Sequence, residues 1–141
     1  MDEHKAELDR FHVPDDAGEY ADGLVAIMMR IPDGWGRWIS CDRGWYPIII
    51  DTDQRLAELD PVYVVHQVKE KFGGLRYYYQ QSGMVSDDVE RQMDEVVQEA
   101  EARAAKTCER CGTEIHVELR QDLFRILTLC EVCEGMKKER R

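Results

Sequence analysis

Two CxxC motifs, Cys108-Glu109-Arg110-Cys111 and Cys130-Glu131-Val132-Cys133, stand eighteen residues apart, and they constrain this chain more than any other feature. A CxxC turn aims two sulfurs at one point, and tetrahedral zinc takes four thiolates. The spacing falls in the range of zinc sites. Cys108, Cys111, Cys130 and Cys133 are therefore expected to hold one zinc ion. Four protein ligands close the site, so the metal is expected to be structural, with a binding energy of order ~10 kcal/mol coupled to folding. A redox dithiol is the lesser reading, since one CxxC suffices for it. Gly112 follows the first pair, where a tight knuckle often needs glycine. Ile115 to Leu119 alternates as a strand, and Leu123 to Leu129 can return beside it. Knuckle, hairpin, knuckle and short helix make a zinc ribbon or treble-clef module over 107–141, ending in a basic tail.

The rest of the chain has to supply a scaffold. Its 141 residues suit one domain, or one small domain with a zinc appendage. With 43% hydrophobic and 34% charged residues it is too rich in core material for a disordered chain. There is no run of about 18 apolar residues, so no membrane span is expected. The polar start Met1-Asp2-Glu3-His4-Lys5 lacks the layout of a signal peptide, which makes the cytoplasm the expected compartment. Paired CxxC motifs there hold metal more often than disulfides, and an odd total of five cysteines agrees. The net charge of −10 is uneven. Residues 1–22 carry eight acids against two bases, and residues 86–106 seven against three, while the remaining stretches balance. The acidic segments read first as solvated faces, and second as a surface that docks on a basic partner or imitates DNA. The whole molecule should repel nucleic acid at long range.

Residues 1–22 are expected to be loosely held, with a short helix near the start. The apolar run from Leu24 to Ile31 leans to helix. Trp35, Trp38 and Trp45 fall within eleven positions and read as a core corner, with an aromatic platform as the alternative. Cys41 nearby reads as a small buried hydrophobe. Pro47 suits a helix start, and Ile48, Thr52, Leu56 and Leu59 mark one face of a helix over 46–59, stopped by Asp60-Pro61. A hairpin follows over 62–81, with Gly73-Gly74 as its two-residue turn. That register sets Val68 opposite Tyr79 and Glu70 opposite Tyr77. It places Val62, Val64, Val68, Tyr77 and Tyr79 on a core face with a half-buried His66. Lys69, Lys71, Arg76 and Tyr78 take the other face, basic and aromatic in an acidic chain. It reads as solvated, or as a contact surface for phosphate or an acidic protein. Ser86 caps a helix over 86–106 that carries acids in its first turn and leads to Cys108.

Three stretches resemble a known group. They are Cys41-Asp42-Arg43-Gly44-Trp45-Tyr46-Pro47-Ile48-Ile49, then Gln67 to Tyr78 with its run Val68-Lys69-Glu70-Lys71-Phe72-Gly73-Gly74-Leu75-Arg76, then Cys108-Glu109-Arg110-Cys111-Gly112 with Thr128-Leu129-Cys130. Over residues 40–133 the chain is similar to small uncharacterised proteins of bacteriophages, prophages and bacteria. The resemblance implies a phage-type accessory protein with a zinc knuckle, working in the host cytoplasm, and brings no activity with it. Some relatives end in Cys-x2-His where this chain has Cys133. The second knuckle also looks like that of some HNH nucleases. Their chemistry needs a metal-binding and a general-base histidine, whereas 107–141 holds only His116.

The expected fold is α+β: a 1–22 segment, a 23–106 scaffold and a 107–141 zinc module. The expected function is non-enzymatic binding of a host macromolecular partner, with transcription or DNA-handling machinery favoured by analogy. The alternative is direct nucleic-acid binding through Lys69, Lys71, Arg76, Tyr78 and the tail residues Lys137, Lys138, Arg140 and Arg141. A diverged nuclease comes third.

Overall fold

Ser86 shows how directly local sequence becomes structure here. Its hydroxyl accepts the Val89 N–H at 3.2 Å, and Asp87, Asp88 and Glu90 follow in the first turn of a helix over Asp87–Ala104. The computed structural model describes residues 3–122 and 124–136 in full, and the backbone of 137–139. The side chains of Lys137 and Lys138, together with Arg140 and Arg141, lie outside the described residues. The elements in order are α1 (Glu3–Asp9), α2 (Ala21–Met28), β1 (Ile39–Ser40), α3 (Tyr46–Leu59), β2 (Val64–Lys71), β3 (Gly74–Gln80), α4 (Asp87–Ala104), β4 (Val117–Gln121), β5 (Ile126–Cys130) and α5 (Glu131–Glu139). This is a mixed α+β chain. No helix among the described residues is long and apolar enough to cross a membrane.

Periodicity selects which faces are buried. Ile48, Thr52 and Leu56 of α3, and Met93, Val96, Val97, Ala100 and Ala104 of α4, line the core as their spacing predicts. The Leu24–Ile31 run is largely helical, with Leu24, Ile27 and Met28 of α2 buried. These helices share one apolar cluster with Ile39, Val65, Val68, Leu75 and Tyr77 of the sheet β1-β2-β3. β1 runs parallel to β2, and β3 antiparallel to it.

The hairpin departs from its expected register. Lys71 pairs with Gly74, Glu70 with Leu75 and Val68 with Tyr77, so the turn is Phe72-Gly73 and not Gly73-Gly74. Both turn residues are left-handed, Phe72 at φ 53° and Gly73 at φ 81°. An aromatic residue rarely adopts that region, and contacts of its neighbour Gly73 hold the turn in place. The Gly73 N–H donates to Glu70 Oε2 at 2.8 Å, and Thr128 Oγ1 in β5 donates to the Gly73 carbonyl at 2.6 Å. A Cβ at Gly73 would collide with Leu119 of β4. The β4–β5 module therefore positions the turn.

A second departure lies at His66. Pairing steps from Val65↔Tyr79 to Gln67↔Tyr78, which leaves His66 as a bulge. His66 and Gln67 both turn outward, while Val65 and Val68 are fully buried. Val62, 60% exposed, and Val64, half-buried, therefore do not join Val68 in the core, and Val65 fills that place. The one-residue shift of the turn moves each cross-strand partner by two, which preserves parity, so Lys69, Lys71, Arg76 and Tyr78 do occupy the outer face.

The tryptophans separate as well. Only Trp45 is core, while Trp35 is 59% and Trp38 41% exposed. Ile39 points inward, so its neighbour Trp38 points outward. Trp38 stacks on His12 at 3.9 Å, and Trp35 stacks on the bulged His66 at 4.6 Å. The N-terminal segment, expected to be loose, is tied down here. The His12 N–H donates to the Arg37 carbonyl, the Arg37 N–H to the Leu8 carbonyl, and the Gly34 N–H to Asp9 Oδ1.

A buried polar network crosses the core. Asp53 Oδ1 accepts from Arg30 Nε at 2.7 Å and from the Tyr63 hydroxyl, which also meets the Tyr77 hydroxyl at 2.7 Å. Removing one partner from such a network strands the others away from water. Asp53→Ala should cost about 3 kcal/mol in urea unfolding, and Tyr63→Phe, which leaves the ion pair, about 1 kcal/mol.

Candidate metal centre

The two cysteine pairs come from different kinds of backbone. Cys108 and Cys111 lie on a knuckle closed by the Gly112 N–H to the Cys108 carbonyl at 2.9 Å, and by the Cys108 N–H to the Thr113 carbonyl at 2.8 Å. Cys130 is the last residue of β5, and Cys133 lies in the first turn of α5. The Cys133 N–H donates to Cys130 Sγ at 3.4 Å. Antiparallel pairing of Val117 with Cys130 and Leu119 with Thr128 brings the chain back across those eighteen residues.

All four sulfurs lie within 4.8 Å of one another, a group that can hold a metal ion such as zinc. The donor geometry fits. A Zn–S bond of ~2.3 Å in a tetrahedron separates sulfurs by about 3.8 Å, and Cys111 Sγ stands 3.7 Å from Cys130 Sγ. Cys108, Cys130 and Cys133 are buried, while Cys111 is exposed. Leu127, Leu129 and Val117 pack beside the buried three as a small second core. Burial works against thiolate formation at Cys130, but the Cys133 N–H and the neighbouring thiols outweigh it and bring Cys130 down to about 7. Burial and the neighbouring thiols push Cys133 up.

The module is also joined to the scaffold. The Gly44 N–H donates to the Glu109 carbonyl at 2.7 Å, and Trp45 Nε1 to the Thr107 carbonyl at 2.9 Å. The Asp42 N–H donates to Glu109 Oε2 at 3.0 Å, and the Glu109 N–H to the Thr128 carbonyl at 3.0 Å. Glu109 is buried inside the knuckle, and burial lifts its carboxyl to about 7. Asp42, Gly44 and Trp45 thus grip residues 107–109. Cys41, expected to be buried, is half-buried against the core.

The other sequence-predicted residues gather elsewhere. Lys69, Lys71, Arg76 and Tyr78 share the outer sheet face, with Lys69 Nζ 5.9 Å from the Tyr78 ring. The exposed His116 adjoins Cys111 in a groove of about 400 Å³ that Ile115 and Val132 also line. Periodicity could not have found that groove, since both apolar residues occupy irregular or helix-start positions.

No protein-family model, curated protein or solved structure matches the chain. The site therefore rests on its own geometry. A Cβ at Gly44 would overlap the Cys108 and Glu109 carbonyls. Gly44→Ala should destabilise by about 2 kcal/mol in chemical unfolding and weaken metal binding with it. Gly135→Ala in α5, where a Cβ meets nothing, should be neutral or stabilise by up to about 1 kcal/mol.

Proposed function

We propose that this is a non-enzymatic, zinc-stabilised protein that binds a macromolecular partner. One zinc ion is held by Cys108, Cys111, Cys130 and Cys133 in a treble-clef arrangement of knuckle, β4–β5 hairpin and α5. The observation that carries the reading is the converged set of four sulfurs at tetrahedral spacing. Four thiolates fill the coordination shell and leave no position for a substrate. The metal then orders the module and keeps it against the scaffold. The partner is a protein of the host cell, in keeping with a phage-type accessory role. Ile115 and Val132, 69% and 71% exposed, line the 400 Å³ groove beside Cys111 and suit an apolar anchor from such a partner. Purified protein should carry about one zinc per chain, and less than about 0.5 would overturn the closed site. Immobilised zinc-loaded protein should retain a stoichiometric protein from a bacterial lysate and lose it on Ile115→Asp. Retention of nothing would sink the partner reading.

A second reading, direct nucleic-acid binding, draws on the outer sheet face. Lys69, Lys71 and Arg76 form no ion pair among the described residues, in a chain of net charge −10. Tyr78 stands beside them, and Trp35 and Trp38 add exposed rings on the same side. Trp35 stacks on His66 and is 59% exposed, so it offers ring surface to a base. This reading expects a gel shift at low salt. Changing Lys69, Lys71 and Arg76 to Ala should lower its log–log salt slope by about one per cation. No shift at low salt removes the reading. A nuclease role for His116 has the least support, because no second histidine accompanies it in 107–141.

A further inference from the structure

The knuckle, the start of α3 and the end of α4 enclose a cavity of about 200 Å³ that neither reading above uses. Arg43, Arg103 and Arg110 line it. None of the three is ion-paired among the described residues. Arg110 Nη1 is buried with no hydrogen-bond partner among them. That nitrogen has no surface open to the cavity, so the Arg110 side chain borders it through its other atoms. Arg43 is held in position by Nε donating to the Asp16 carbonyl at 3.0 Å and by the Tyr20 ring 5.1 Å away. Pro47 and Ile48, in the first turn of α3, form another wall. That turn contains no acid, but its Tyr46 N–H donates to the Arg43 carbonyl and Pro47 has no N–H, so the donors here are the arginines. Glu114 also lines the cavity, so three guanidinium groups face one carboxylate. In a chain of net charge −10 this is a local reversal of sign.

We propose that Arg43, Arg103 and Arg110 form a binding site for a phosphoryl dianion, either free phosphate or the phosphate monoester of a nucleotide. Guanidinium forks match phosphate oxygens in pairs, and three of them supply donors from separate directions. A volume of about 200 Å³ falls below the ~300–1,000 Å³ of sites that enclose whole small molecules. The cavity therefore takes the phosphoryl group and leaves any attached nucleoside outside. Two rival roles explain single arginines. Arg103 suits the C-terminal end of α4 whatever else it does. Cys111 also lines the cavity, so the cations can instead offset the charge of metal-bound thiolates.

Calorimetry on the full zinc-loaded chain at fixed ionic strength separates these accounts. The titrants are inorganic phosphate, adenosine 5′-monophosphate and adenosine. Phosphate and the monophosphate should bind, and adenosine should not. Arg103→Gln, at the exposed end of α4, should weaken both by about tenfold or more. Zinc content should stay unchanged, and Lys69→Gln on the outer sheet face should leave both affinities alone. Equal affinities would assign free phosphate, and a tighter monophosphate would assign the nucleotide. The proposal fails if the parent binds neither at about 10 mM, past the millimolar range for so small a ligand. It fails equally if Arg43→Gln and Arg103→Gln leave phosphate binding intact. Loss of zinc from those variants, with no phosphate binding by the parent, would assign the arginines to thiolate compensation.

Discussion

The close approach of Gly44 to the Cys108–Glu109 backbone is the contact on which the rest of the structure depends. Here the turn before α3 meets the knuckle after α4, with the Gly44 N–H on the Glu109 carbonyl and Trp45 Nε1 on the Thr107 carbonyl. Nothing larger than glycine fits against those carbonyls. The contact joins residues more than sixty positions apart. It fixes the exit of α4, the direction of the knuckle and hence where the first two sulfurs point. Thr128 and Gly73 make the corresponding bond on the far side of the module. The four-cysteine unit is thus bound to the scaffold at both ends, so a metal held there would be coupled to folding of the scaffold.

This arrangement separates the four-thiol group from the surfaces that can work. The sulfurs are mostly buried and their neighbours are leucines and a valine. What faces outward is different on each side. The outer sheet face carries cations with no ion pair among the described residues, set among aromatic rings; the rim of the knuckle carries an apolar groove, and the α3–α4 end carries a cavity of arginines.

Much of the fold was legible because it is local. α3 and α4 follow from Pro47, Ser86 and the spacing of Ile48, Thr52, Leu56, Met93, Val96 and Ala100, each a short-range effect on one helix. The candidate metal residues were legible for the same reason, since a CxxC turn needs only its own backbone. The hairpin was legible in kind but not in register. Two adjacent glycines permit either turn, and Leu119 and Thr128, from a distant module, select Phe72-Gly73. The bulge at His66 was illegible too, because strict alternation assumes an unbroken ladder.

By itself, the sequence determined the α+β class, the two long helices, the four-thiol set and the basic outer face of the hairpin. All are consequences of period, capping or short spacing. The tertiary structure decided that Val65 and not Val64 fills the core, and that Trp35 and Trp38 stand outside it. It also brought Arg43, Arg103 and Arg110 around one cavity. Those outcomes depend on which distant backbone packs against which turn, and a linear pattern carries no record of such contacts.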